Sequence, residues 1–124
     1  MDCGAQPRQD ETEAAIRLLE QKWSEAYWTG NAAYLECLYA PNFESADSKA
    51  RLTSKAEDIA SSQRNVGKPY THDASKYEVN VAMHLHSAVA TSFKGDAAHG
   101  LRITDIYEYD GKHWQAIFSQ TTKY

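Results

Sequence analysis

The strongest constraint on this chain lies in its last quarter, where Asp110-Gly111 separates two runs rich in aromatic and β-branched residues, 101–109 and 114–121. Both turn residues accept the positive φ of a tight turn, and the flanking runs suit strands, so a β-hairpin is expected. Strand side chains alternate between faces. Leu101, Ile103, Asp105, Tyr107 and Tyr109 therefore share one face, and Arg102, Thr104, Ile106 and Glu108 the other. The same alternation predicts that Trp114, Ala116, Phe118 and Gln120 form the matching face of the next strand, with Ile117 and Ser119 on the outside. The first face is apolar except for Asp105. A carboxylate in such company is paired, protonated or working.

Upstream, the hydrophobic period is helical. Asp10-Glu11-Thr12-Glu13 resembles a capping box, and Ile16, Leu19, Trp23 and Tyr27 recur on one face up to Gly30, a C′ residue. This predicts a first helix over about 11–29. Asn31 caps a second helix ending near Ala40, because Pro41 lacks an amide donor and disfavours helix just before it. Residues 42–46 suit a short strand and 47–49 a turn. Thr53 or Ser54 can cap a third helix, with Glu57 completing a box for Ser54, and this helix fades at 65–67. From Ser75 the period becomes two. Tyr77, Val79, Val81, Met83 and Leu85 lie on one face, and further strands follow turns near 86–87 and 95–96. Helices first and an antiparallel meander last indicate an α+β domain with helices covering one sheet face.

The chain has 124 residues, which suits one domain able to bury a core without staples. We expect residues 1–9, with Gly4 and Pro7 and no apolar period, to be a disordered tail, and 10–124 to form the domain. A net charge of -4 without a basic block argues against nucleic acid and anionic membrane as partners. No apolar run reaches the length of a membrane span. Cys3 falls in the expected tail and Cys37 in a helix, a placement that does not favour a disulfide. A cytoplasmic location is expected, or a periplasmic or secreted one if the N-terminus is a processed end.

His84 and His86 share a strand face, and His-x-His can chelate. No third ligand completes a recognised spacing, so solvent-facing hairpin histidines are the default and neither metal nor cofactor is expected. Asp47 on its own residue type reads as a turn aspartate. Trp23, Tyr27 and Tyr39 at helical spacing read as core that also lines any interior cavity, with Trp28 as packing or interface.

Three segments carry a resemblance. They are Trp23-x3-Tyr27-x2-Gly30-Asn31, then Leu38-Tyr39-Ala40-Pro41-Asn42-Phe43, then Arg102-Ile103-Thr104-Asp105-Ile106-Tyr107 followed by Asp110-Gly111-Lys112-His113-Trp114. Their order and spacing over 14–122 resemble the nuclear transport factor 2-like superfamily, and within it the subgroup related to SnoaL-type cyclases and ketosteroid isomerase. That resemblance implies a cone-shaped curved antiparallel sheet wrapped around N-terminal helices, the cystatin-like fold. It implies a homodimer through the outer sheet face. Ketosteroid isomerase works with an Asp base and an oxyanion hole of a Tyr and a protonated Asp. Carried over by position, the base corresponds to Asp47 and the acid to Asp105. The Tyr corresponds to Trp23, a departure, since an indole donates a hydrogen bond but is no acid.

The expected function is binding of a small, largely apolar molecule in the cone, lined by Trp23, Tyr27, Tyr39, Phe43, Ile103, Tyr107, Trp114 and Phe118. The enzymatic alternative is isomerisation, dehydration or cyclisation with Asp47 and Asp105 as catalytic pair. A third class is a dimeric protein-interaction module with a filled pocket.

Overall fold

A computed structural model describes residues 3–72, 76–96 and 98–124. The expected start of the strand pattern at Ser75 lies outside the described residues. Helix α1 spans Glu13–Thr29 and α2 spans Ala32–Leu38. Strands β1 (Tyr39–Ala46) and β2 (Leu52–Ser54) precede α3 (Lys55–Gln63). Then come β3 (Glu78–His84), β4 (Ser87–Gly95), β5 (Gly100–Tyr109) and β6 (Trp114–Lys123).

The caps explain the helix limits. Asn31 accepts the Tyr34 amide, and Ser54 with Glu57 closes a reciprocal capping box on α3. Gly30 takes φ 73, the left-handed geometry that ends α1. The first cap differs from expectation. Thr12, two residues past Asp10, accepts the Ala15 amide, and the Asp10 carbonyl instead receives the Trp114 indole N–H at 2.9 Å.

The six strands form one curved sheet in the order β2-β1-β6-β5-β4-β3. Neighbours are antiparallel except β1 and β6, which run parallel, so the sheet is mixed where the sequence pattern implied antiparallel pairing throughout. Strand β1 also begins earlier than expected, because α2 stops at Leu38 and Tyr39 already pairs with Ala116. Ile16, Leu19 and Trp23 of α1 pack with Ala88, Ala90, Tyr107 and Ala116 of the sheet. Small residues on β4 leave room there for the large α1 side chains.

The β5–β6 ladder has an irregularity that reverses a sequence-based expectation. Tyr107 pairs with Ala116, but Ile106 pairs with Phe118, so Ile117 is an extra residue. A bulge of this kind shifts the alternation by one. Beyond it Ser119, paired with Asp105, is buried, and Phe118 lies beside Ile106 on the outer face. The expected assignment of Phe118 to the interior and of Ser119 to the exterior is thus corrected.

The tail is also corrected. Residues 3–9 are docked, beginning with a 3-10 turn at Cys3–Ala5, and Cys3 is disulfide-bonded to Cys37. Gln9 donates its amide to the Lys112 carbonyl at 2.8 Å and accepts the Trp114 amide on its side chain at 2.6 Å. Tyr109 Oη donates to the Gln9 carbonyl, and Lys112 Nζ to the Gly4 carbonyl, both at 2.8 Å. These bonds use backbone groups, which leave no hydrophobic period in the sequence to read.

Candidate functional site

The site is built on the inner face of β5, at the layer where α1 crosses it. Asp105 pairs with Ala90 on one side and Ser119 on the other, and only 6% of its surface is exposed. Ser119 Oγ donates to Asp105 Oδ1 at 2.6 Å. The second partner comes from α1. Glu20 follows Ile16 by four residues and precedes Trp23 by three, so it projects from the apolar stripe into the sheet. It receives the Tyr107 hydroxyl at 2.5 Å and the Ser92 hydroxyl at 3.2 Å, and its charge acts on the neighbouring Asp105.

Burial first, and then the Glu20 charge, lifts the Asp105 carboxyl well above its ordinary range. Burial together with the Glu20 and Asp105 charges likewise pushes the Tyr107 hydroxyl well up. Tyr107 donates to Glu20, and the neighbouring Asp105 carboxyl holds its proton to higher pH than an exposed aspartate does.

A second chain of polar contacts reaches the same space from α3. Trp23 Nε1 donates to Tyr39 Oη at 2.9 Å, and Tyr39 Oη donates to Asp58 Oδ2 at 2.5 Å. Burial raises the Asp58 carboxyl above its usual range, opposed in part by the Tyr39 bond, and the Asp58 charge is felt at Asp105. Burial first, then the Asp58 charge, raises the Tyr39 hydroxyl strongly. Around these groups, Trp23 meets Tyr39, Phe43 and Tyr107 edge-on at 5.5, 5.9 and 5.9 Å between ring centroids. Phe43 stacks on Tyr39 at 4.0 Å.

Trp23, Tyr39, Phe43, Asp105 and Tyr107 thus share one interior, with Ile103 half-buried on the Asp105 face. Tyr27 is part-buried beside it, its hydroxyl 3.1 Å from Ser61 Oγ. Trp114 belongs to the same buried cluster, against Tyr109 at 5.1 Å and beneath the docked N-terminal segment. Phe118 faces outward. Asp47 is not in the cluster. It sits in the β1–β2 turn, where its Oδ1 accepts the Lys49 and Arg51 amides at 2.9 and 3.0 Å and Arg51 Nε reaches Oδ2 at 3.1 Å. Those backbone bonds hold its carboxyl below the usual range. The turn reading of Asp47 is the correct one, and the spacing match to a catalytic base is not.

Three functional-type residues were missed: Glu20, Asp58 and Ser119. Glu20 had a signal, a carboxylate inside the apolar stripe of α1. Ser119 had none without the bulge, and Asp58 reaches the site only through the packing of α3 on β1. Two surface pockets lie away from Asp105. One, of about 130 Å³, is lined by Cys3, Gln9, Cys37, His113 and Trp114. The other, about 450 Å³, is a groove beside Glu36, Phe43, Glu44 and Lys55. Among the described residues no group of three His, Cys, Asp or Glu is placed to hold a metal ion. His86 pairs with Glu11 at 2.7 Å. No helix among them is long and apolar enough to cross a membrane.

No protein-family model and no curated protein matches the chain. Solved structures do. A nuclear transport factor 2-like protein of unknown function from Silicibacter pomeroyi superposes with a TM-score of 0.73 at 13% identity, over 90% of this chain and 94% of that one. One from Pseudomonas putida gives 0.66 at 21% identity, over 89% and 84%. An uncharacterised protein with a cystatin-like fold from Caulobacter vibrioides gives 0.68 at 14% identity, over 93% and 91%. The chain has the nuclear transport factor 2-like, cystatin-like fold, as the resemblance in its motifs implied.

Proposed function

We propose that this domain binds a small, largely apolar molecule carrying one hydrogen-bond acceptor, such as a carbonyl oxygen. The observation that carries this reading is the burial of the Asp105 carboxyl in the same interior as Trp23, Tyr39 and Tyr107, which lifts it well above the usual carboxylate range. A carboxylic acid kept protonated in an apolar setting is a strong donor that water does not compete for. The aromatic rings supply area for an apolar body. The test is an amide and indole NMR screen with cyclic ketones and phenols. Perturbations at the Trp23 indole and around Asp105, lost in Asp105→Ala, support the reading. Perturbations elsewhere only would leave the filled-pocket interaction module.

A second reading rests on Asp58. This part-buried carboxylate ends the Trp23–Tyr39 relay and is electrostatically coupled to Asp105. In a domain resembling ketosteroid isomerase and the SnoaL-type cyclases, Asp58 takes the base role that Asp47 is too remote to fill, with Asp105 as the acid. Deuterium exchange at the carbon next to a bound ketone reports proton abstraction. Asp58→Asn should abolish that exchange while sparing ketone binding. Homodimerisation uses the outer sheet face, where Val89, Ile106 and Phe118 form a lateral apolar row. Light scattering of the wild type and Phe118→Lys tests it.

A further inference from the structure

We propose that Cys3 and Cys37 form a reversible redox latch that holds the N-terminal segment as a strap across the β5–β6 turn and closes the pocket beneath it. The bridge joins two residues 34 positions apart, one in the 3-10 turn and one in α2. Without it, the segment's first anchor is hydrogen bonding to solvent-accessible loop groups: Lys112 Nζ to the Gly4 carbonyl at 2.8 Å, and His113 Nε2 to the Gln6 carbonyl at 2.9 Å. Neither cysteine is fully buried, as a bridge open to exchange requires. Both cysteines also line the pocket of about 130 Å³, together with His113 and Trp114. That volume suits a benzene-sized guest.

The chemistry is thiol–disulfide exchange. A dithiol reductant supplies two electrons and two protons, the Cys3–Cys37 bond breaks to two thiols, and the reductant becomes its own disulfide. In an oxidising compartment the strap is tied down covalently at both ends, and in a reducing one its only covalent tie is to α1, so noncovalent contacts such as the hydrogen bonds to the β5–β6 turn hold the rest. Opening the bridge frees one end of the segment, which gains the entropy of an untethered loop. Gln9, whose amide and side chain both bond to the turn, is the reporter of that change.

The experiment uses the full chain purified without reductant. Alkylation under denaturing conditions counts free thiols: none is expected before dithiothreitol and both after. Amide hydrogen exchange is then followed in the oxidised protein, the reduced protein, Cys3→Ser and Cys37→Ser. Exchange at Gln9 and Trp114 should quicken by roughly tenfold or more in the last three, with Ala90 and Asp105 unchanged. Reoxidation of the wild type should restore protection. The latch is overturned if both thiols alkylate before reduction, or if the strap exchanges equally with the bridge open and closed. Loss of protection throughout the chain on reduction also overturns it, since the bridge would then be a staple of the whole fold.

Discussion

Asp47 and Asp105 are the two aspartates that the family resemblance paired, and the fold treats them in opposite ways. Asp105 has Ser119 and a second carboxylate for company and is buried, so its proton is retained. Asp47 has two backbone amides and an arginine within its own turn and stands in solvent, so its proton is lost early. One is held by groups up to 85 residues away in sequence and the other by groups within four. What differs is the origin of the partners: a local turn satisfies a carboxylate completely and leaves it nothing to do, whereas partners from separate elements make a site.

The largest effect on this contrast should come from Glu20→Ala. It leaves the buried Tyr107 and Ser92 hydroxyls without their acceptor, which costs about 2–4 kcal/mol by urea denaturation. An unchanged midpoint would mean that water replaces Glu20 and that the cluster is wetter than its burial implies.

Next is the pH dependence. The folded value of Asp105 lies above its ordinary 3.8, so the folded state binds more protons than the unfolded state. Its contribution to stability is full below the unfolded value and is lost as pH rises toward and through the folded one. Asp47, with its value lowered, contributes in the opposite direction: its stabilisation is present above the unfolded value and is lost as pH falls through the folded one. Asp105→Asn keeps the shape and a donor and should flatten the loss above pH 4, approximately, in chemical denaturation across pH. An unaltered slope would assign the proton to Glu20.

Ser119→Ala should be milder. It removes one bond to Asp105 and costs about 1 kcal/mol. Because that bond favours the charged form, its loss should raise the Asp105 titration further, as followed by carboxyl NMR. The smallest effect is expected from Asp47→Ala, a slight fall in the unfolding midpoint at neutral pH that disappears at low pH, with no change in ketone binding. A loss of binding there would return Asp47 to the site and undo the contrast.

Much of the architecture was legible because it is local. Gly30, Asn31 and the Ser54/Glu57 box act on amides within one turn of themselves. The period-two pattern of β5 correctly placed Asp105 and Tyr107 inward. Half of the site was legible for the same reason, since Trp23, Tyr39 and Asp105 sit on faces that periodicity identifies. The error in β6 was a one-residue slip: Ile117 carries no mark that distinguishes it from its neighbours, and only pairing with β5 makes it the extra residue.

What the chain determined by itself is therefore the set of elements, their caps and the face each presents, because these depend on groups within a few residues. Tertiary structure decided the rest. It brought Glu20, Asp58 and Ser119 to Asp105 from three separate elements. It tied Cys3 to Cys37. It left Asp47 outside. Proximity between distant residues is settled by which packing buries the most apolar surface while satisfying every buried polar group, and that is a property of the whole assembly.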